Sequence, residues 1–137
     1  MRDVNIQNDP VRFRLNLDRI GEIMAYEISK RLDYTQEKVQ TPLGFTMCHE
    51  PVEKVVLATI LRAGLPFHHG FLNFFDRAEN AFVSAYRRYK EKSDQFDVLV
   101  EYMASPRIDG KTLILVDPML ATGSSMELGY RALLKKG

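Results

Sequence analysis

Apolar residues fall into several distinct patterns along this chain, and each pattern predicts a different element. Phe13, Leu17, Ile20, Met24 and Ile28 recur every three or four residues, the spacing of one helical face, and predict an amphipathic helix ending near Leu32. Val55 to Ile60 is an unbroken apolar run rich in β-branched residues, the pattern of a strand buried on both faces. Val39-Gln40-Thr41 and Phe45-Thr46-Met47 flank Pro42-Leu43-Gly44 and read as a hairpin. Ala81 to Tyr86, Val98 to Met103 and Thr112 to Val116 read as further strands, the last introduced by the turn signal Asp109-Gly110. A helix from about Pro66 places Phe67, Phe71, Phe74 and Phe75 on one face, and a second amphipathic segment runs from Met126 to Lys136. Strands alternating with helices predict an α/β fold, a parallel sheet joined by right-handed crossovers.

Polar stretches divide these elements. Met1 to Pro10 reads as a polar arm, and Arg87-Arg88-Tyr89-Lys90-Glu91-Lys92-Ser93-Asp94 is too charged for a core, so it predicts a loop or projecting arm. Lys135-Lys136-Gly137 has the basic last turn and glycine of a helix end. Composition adds bounds rather than detail. With 137 residues, 45% of them hydrophobic, one domain can bury a core. A formal net charge of +1, from 19 basic and 18 acidic residues, gives no footprint for nucleic acid or a membrane surface. Cys48 is the only cysteine, which excludes an intrachain disulfide and suits a cytoplasmic setting. The polar amino end does not read as a signal peptide, and no apolar run reaches membrane-spanning length.

The chemistry concentrates where the last strand stops. Leu113-Ile114-Leu115-Val116 ends abruptly in Asp117, followed by Pro118-Met119-Leu120-Ala121-Thr122-Gly123-Ser124-Ser125 and then a helix. In open α/β sheets, ligands bind at such strand-to-helix turns. The helix start offers unpaired backbone N–H groups and a favourable dipole for a phosphate, with the Thr122, Ser124 and Ser125 hydroxyls beside it. No lysine follows the glycine, so this is not a P-loop, and it lacks the spaced glycines of a dinucleotide fingerprint. Asp117 suits hydroxyl groups better than phosphate, so the pair of features points to a phosphorylated sugar. Arg62, just after the buried strand, can reach the same sheet edge. His49, His68 and His69 lack partners at metal-ligand spacing and read as structural or surface residues; Cys48 reads as a small buried residue.

Leu115-Val116-Asp117-Pro118-Met119-Leu120-Ala121-Thr122-Gly123 resembles the phosphoribosyl-pyrophosphate (PRPP) motif of type I phosphoribosyltransferases, in the form used by uracil phosphoribosyltransferases. Ile60-Leu61-Arg62-Ala63-Gly64 is similar to that family's pyrophosphate loop, Ala85-Tyr86-Arg87 to the segment of a second PRPP-contacting arginine, and Thr41-Pro42-Leu43-Gly44 to a family turn. Together the matches span roughly Asn16 to Gly137. The resemblance implies that Leu120 to Ser125 bind the 5′-phosphate, that Asp117 holds the ribose hydroxyls, that Arg62 meets the pyrophosphate, and that Arg87 also contacts PRPP, with Arg88 competing for that last role. It implies uracil and PRPP as substrates, Mg²⁺ carried by PRPP, no metal held by the protein itself, and a homodimer or higher homo-oligomer. Residues 1–12 are then an arm and 13–137 the PRPP-binding part of the domain. A further strand and the uracil-reading hood of the family are expected beyond Gly137, so the chain reads as an amino-terminal portion. A PRPP-binding regulator of the same fold, or a transferase for another base, are the other readings; Asp117-Pro118 in place of paired acids disfavours the latter.

Overall fold

The computed structural model describes residues 3–5, 8–89 and 96–135, and the side chains of all these except 86–89 and 96–99. Helix α1 (Pro10–Ser29) starts on Asp9, whose carboxylate accepts the Val11 and Arg12 N–H groups, with Pro10 at a first-turn position that needs no donor. The expected arm therefore gives up its last residues to the helix. Strands β1 (Tyr34–Thr41) and β2 (Gly44–Pro51) form an antiparallel hairpin around Pro42 and Leu43, longer than the short flanking runs predict.

Strand β3 (Val55–Leu61) is buried throughout Val55 to Ile60, as the continuous apolar run predicts. Helix α2 (Leu65–Leu72) follows, then β4 (Glu79–Tyr89), β5 (Phe96–Ala104), β6 (Thr112–Val116) and helix α3 (Ser124–Leu134). The main sheet has the order β5-β4-β3-β6. Strands β4, β3 and β6 are parallel as expected, while β5 is antiparallel to β4, so the sheet is mixed. Only the six residues 90–95 separate β4 from β5, and a parallel return needs a crossover of about a dozen residues or more.

Opposite faces of the sheet carry opposite helices. Leu17 and Ala25 of α1 and Phe67 and Phe71 of α2 pack on Val55, Leu57, Ile114 and Val116. Leu133 of α3 packs on Val56, Ala58, Ala81 and Val83 on the other side. The helical period in α1 is as predicted, and Leu17 and Ile28 of the expected face meet the core, but the stripe between them is shifted by one residue. Leu17, Gly21 and Ala25 form the buried stripe, whereas Phe13, Ile20 and Met24 are exposed. The reason lies in α2: a Cβ on Gly70 would strike the Asp18 carbonyl, and one on Gly21 the Phe67 carbonyl, so the helices meet backbone to backbone. Small residues must occupy that seam. Helix α2 also stops before Phe74, which is half exposed beside Tyr26, so it does not join Phe67 and Phe71 in the core.

Candidate functional site

Helices α2 and α3 leave the adjacent parallel strands β3 and β6 toward opposite faces of the sheet. The crevice between those strands at their carboxyl ends is thus a topological switch point, where an open α/β sheet has room for a ligand. The last paired residues are Thr59 and Val116. Arg62 follows β3 on one side of the crevice, and Asp117 follows β6 on the other. Two segments far apart in sequence thereby come to one edge.

The β6–α3 loop is shaped by hydrogen bonds and by two residues of left-handed backbone. Asp117 Oδ1 accepts the Met119 N–H at 3.0 Å, and the Leu120 carbonyl accepts the Gly123 N–H at 2.7 Å. Thr122 Oγ1 and Ser124 Oγ lie 3.0 Å apart. Gly123 has φ +79°, which explains the glycine, because a Cβ there would meet only Leu120 Cδ1, at 4.0 Å. Ala121 adopts φ +47°, a conformation that costs a side-chain-bearing residue about 1–2 kcal/mol. Strain of this kind is commonly stored in ligand loops. Gly123 is also the N-cap of α3 and brings no side-chain oxygen to its first turn, so a serine cap is not what the sequence builds here. The hydroxyls of Thr122 and Ser124 instead face each other across the loop. Asp117 and Pro118 are half-buried, while Met119 to Thr122 are exposed.

Across the crevice, Arg62 is exposed, and the Leu61–Arg62 peptide is cis. Gly64 is fixed by crowding: a Cβ on it would strike Thr59 Oγ1 and the Ile60 carbonyl. Helix α2 begins directly afterwards, with Pro66 in its first turn. Arg87 lies further out. Strand β4 pairs with β3 only as far as Ser84, and beyond it Ala85 to Tyr89 pair with Val100 to Phe96 as a two-stranded ribbon. Arg87 and Arg88 thus belong to a strand rather than a loop, opposite Val98 and Asp97. Their side chains, and Lys90 to Asp94 of the charged stretch, lie outside the described residues.

The remaining candidates separate cleanly. His49 sits exposed on the hairpin, 3.3 Å from Gln36. His69 meets Asp18 of α1 at 2.9 Å. His68 is buried, its Nε2 unpartnered and its ring 5.3 Å from that of Phe82. Burial lowers its pKa below the ordinary histidine value, while the Leu57 carbonyl opposes that shift and His69 adds to it. Cys48 is half-buried in the hairpin rather than in the core. Among the described residues no three His, Cys, Asp or Glu side chains converge as a metal site would require. A cleft of about 710 Å³ opens at the opposite, amino-terminal ends of β3 and β4, between Tyr34, Glu53, Phe74 and Arg77, and holds none of the predicted residues. A phosphate loop binds with backbone groups and needs no deep cavity, so the crevice is the better candidate.

Sequence reasoning passed over Thr59. It looks like a β-branched strand filler, yet it is fully buried and its hydroxyl donates to the Val116 carbonyl at 3.3 Å. A lone polar atom inside an apolar run was the available signal.

The fold defines a class before it defines a member. A hypoxanthine phosphoribosyltransferase from Staphylococcus aureus superposes with TM-score 0.59 over 90% of this chain and 58% of that one, at 14% identity, a likeness of fold alone. The AQ2163 protein from Aquifex aeolicus superposes with TM-score 0.84 over 96% of this chain and 62% of that one, at 30% identity. The architecture is that of the type I phosphoribosyltransferases. A curated Porphyromonas gingivalis protein named uracil phosphoribosyltransferase is 66% identical over 137 residues, which are 100% of this chain and 63% of that protein. The profile of the family described as uracil phosphoribosyltransferase matches residues 1–137, and the chain belongs to that family. It spans less than two thirds of the length of this curated relative, 63% of the Porphyromonas protein.

Proposed function

We propose that this chain is the PRPP-binding part of an enzyme that transfers ribose 5-phosphate from PRPP to uracil, giving UMP and pyrophosphate. One observation carries the reading: the Arg62 loop and the Asp117-to-Ser125 loop flank a single crevice at the switch point between β3 and β6. In this reading the backbone N–H groups from Leu120 to Ser125, with the Thr122 and Ser124 hydroxyls, hold the 5′-phosphate. Pro118 and Met119 carry the chain from Asp117 into that cradle, and Asp117 accepts the ribose hydroxyls. Arg62, joined by Arg87 from the β4–β5 ribbon, stabilises the charge that develops on departing pyrophosphate.

The bond from ribose C1′ to the pyrophosphate oxygen breaks, its electron pair leaving with pyrophosphate. The uracil nitrogen forms the new bond to C1′ and gives up its proton to water or to the departing pyrophosphate. Such a substitution through an oxocarbenium-like ribose needs no protein nucleophile; it needs two substrates held in line. Mg²⁺ belongs to the substrate as Mg–PRPP, and neutralises leaving-group charge. Residues 13–137 act as the PRPP-binding unit.

The chain works in the cytoplasm in this reading, which a single cysteine supports. Among the described residues no helix is long and apolar enough to cross a membrane. A second copy of the protein is its macromolecular partner. The exposed Phe13, Ile20 and Ile23 of α1, with Leu43 and Phe45 of the hairpin, support self-association. Phe67 and Phe71, by contrast, are spent on the core. The test is UMP formation by the full-length protein from uracil and Mg–PRPP, with hypoxanthine and orotate as competing bases. Uracil-specific turnover is expected; PRPP binding without transfer to any base overturns the reading in favour of a regulator.

A further inference from the structure

Thr59 and His68 are the buried polar side chains among the described residues. His68 has an unpaired Nε2, and its ring lies beside Phe82 of β4. Thr59 lies instead at the base of the crevice. Its hydroxyl donates to the carbonyl of Val116, the residue that precedes Asp117. On its other side the same oxygen occupies the space that a Cβ on Gly64 would need. One buried hydroxyl therefore touches the strand tip that carries the Asp117 loop and the backbone that closes the Arg62 loop.

The strand ladder gives this contact its significance. Pairing between β3 and β6 ends at Thr59 and Val116, whereas β3 continues to Leu61 through its bond to Ser84 of β4. Past that point the crevice is open, and the Thr59 side chain is the last tie across it. A valine would fill the same volume in an otherwise apolar strand. It could not donate to the Val116 carbonyl, and it would turn a methyl group toward Gly64.

We propose that Thr59 is a positioning residue for PRPP: its hydroxyl sets the spacing between the Arg62–Gly64 loop and the Asp117–Ser125 loop, so that one molecule reaches both. The proposal rests on the PRPP reading of the crevice. A displacement of about an ångström in such a site costs rate out of proportion to its size. Because Thr59 is fully buried, its loss acts through the two loops on the substrate that bridges them.

The experiment compares Thr59→Val and Thr59→Ser with the wild-type full-length protein. Steady-state KM and kcat are measured for PRPP and uracil separately, and hydrogen exchange follows the peptides covering 61–65 and 117–125. In Thr59→Val, kcat/KM for PRPP is expected to fall roughly tenfold with KM for uracil nearly unchanged, a loss specific to one substrate. Exchange in the two loop peptides rises, and Thr59→Ser, which keeps the donor, stays within about twofold of wild type by the same measure. Unchanged PRPP kinetics and loop exchange in Thr59→Val overturn the proposal. So does equal impairment of both variants in step with their thermal stability, which marks a packing role only. A wild-type protein that neither binds PRPP nor forms UMP overturns the underlying reading instead.

Discussion

Asp117 and Arg62 stand on the two walls of one crevice, and in the proposed reading both offer charge to the same ligand. Asp117→Asn and Arg62→Ala should each weaken Mg–PRPP binding by about 1.5–3 kcal/mol, the range for a hydrogen bond to a charged group. Isothermal titration of the full-length protein reads this as a roughly ten- to hundredfold rise in Kd; wild-type affinity in both variants removes these residues from the site. His68 makes a separate prediction about stability. Burial depresses its folded-state pKa, so between the folded and unfolded values the unfolded chain binds the extra proton. The neutral ring's contribution is therefore complete above the unfolded pKa, about 6.5, and is lost as pH falls from there toward the folded value. Urea unfolding at pH 7.5 and 5.5 should show a smaller acid-induced drop in midpoint for His68→Leu than for wild type. An identical drop in both assigns the acid sensitivity elsewhere.

The contact of α1 with α2 is the element-level feature that decides the fold of the helical face. Gly21 and Gly70 let the backbones touch, and Asp18–His69 and Glu22–Asn73 flank the seam at 2.9 and 2.7 Å. Alanine is the better helix former by about 1 kcal/mol, so propensity alone predicts that Gly70→Ala stabilises. The collision with the Asp18 carbonyl reverses the sign, because backbone cannot rotate away as a side chain can. Thermal or urea denaturation should show a net loss of about 1–3 kcal/mol, the usual range for overpacking; a neutral or stabilised variant means the helices slide apart freely. Strand β5 illustrates the opposite case, where the reading of the sequence missed a signal it contained. The eleven residues between the strands predicted to end at Tyr86 and begin at Val98 are already few for a crossover, and the observed gap is only six, yet the alternation of the other elements suggested a parallel sheet.

At the scale of the molecule, two surfaces remain without cover among the described residues. The outer edge of β6 pairs with nothing beyond β3, and α1 exposes Phe13, Leu15, Ile20, Ile23 and Tyr26. Beside the Porphyromonas gingivalis relative, of which the chain spans 63%, the 137-residue chain by itself should bind PRPP more weakly and form no UMP. A part of a transferase that does not hold both substrates loses the proximity on which the rate depends. Comparable turnover from both would put the base pocket within these residues. The exposed face of α1 should also mediate self-association of the full-length protein. Sedimentation at micromolar concentration is expected to show a dimer or larger species that Ile23→Glu weakens; a clean monomer in the wild type refutes this.

The apolar run of β3, the turn at Asp109-Gly110, the hairpin around Pro42 and the loop from Asp117 to Ser125 were all legible in the sequence. Each depends on neighbours along the chain: residue pattern, turn chemistry, or the abrupt end of a buried strand. The resemblance of the Asp117 motif to a family needed no coordinates either. What only the tertiary structure decided are relations between segments distant in sequence. Which stripe of α1 is buried depends on the backbone of α2, because glycine and alanine carry little hydrophobic signal yet alone fit that seam. That Arg62 and Asp117 share a crevice follows from β3 and β6 becoming neighbours while their helices depart to opposite faces. Thr59 carries its meaning only there, since a hydroxyl in an apolar strand is a defect until a carbonyl from another strand arrives to meet it.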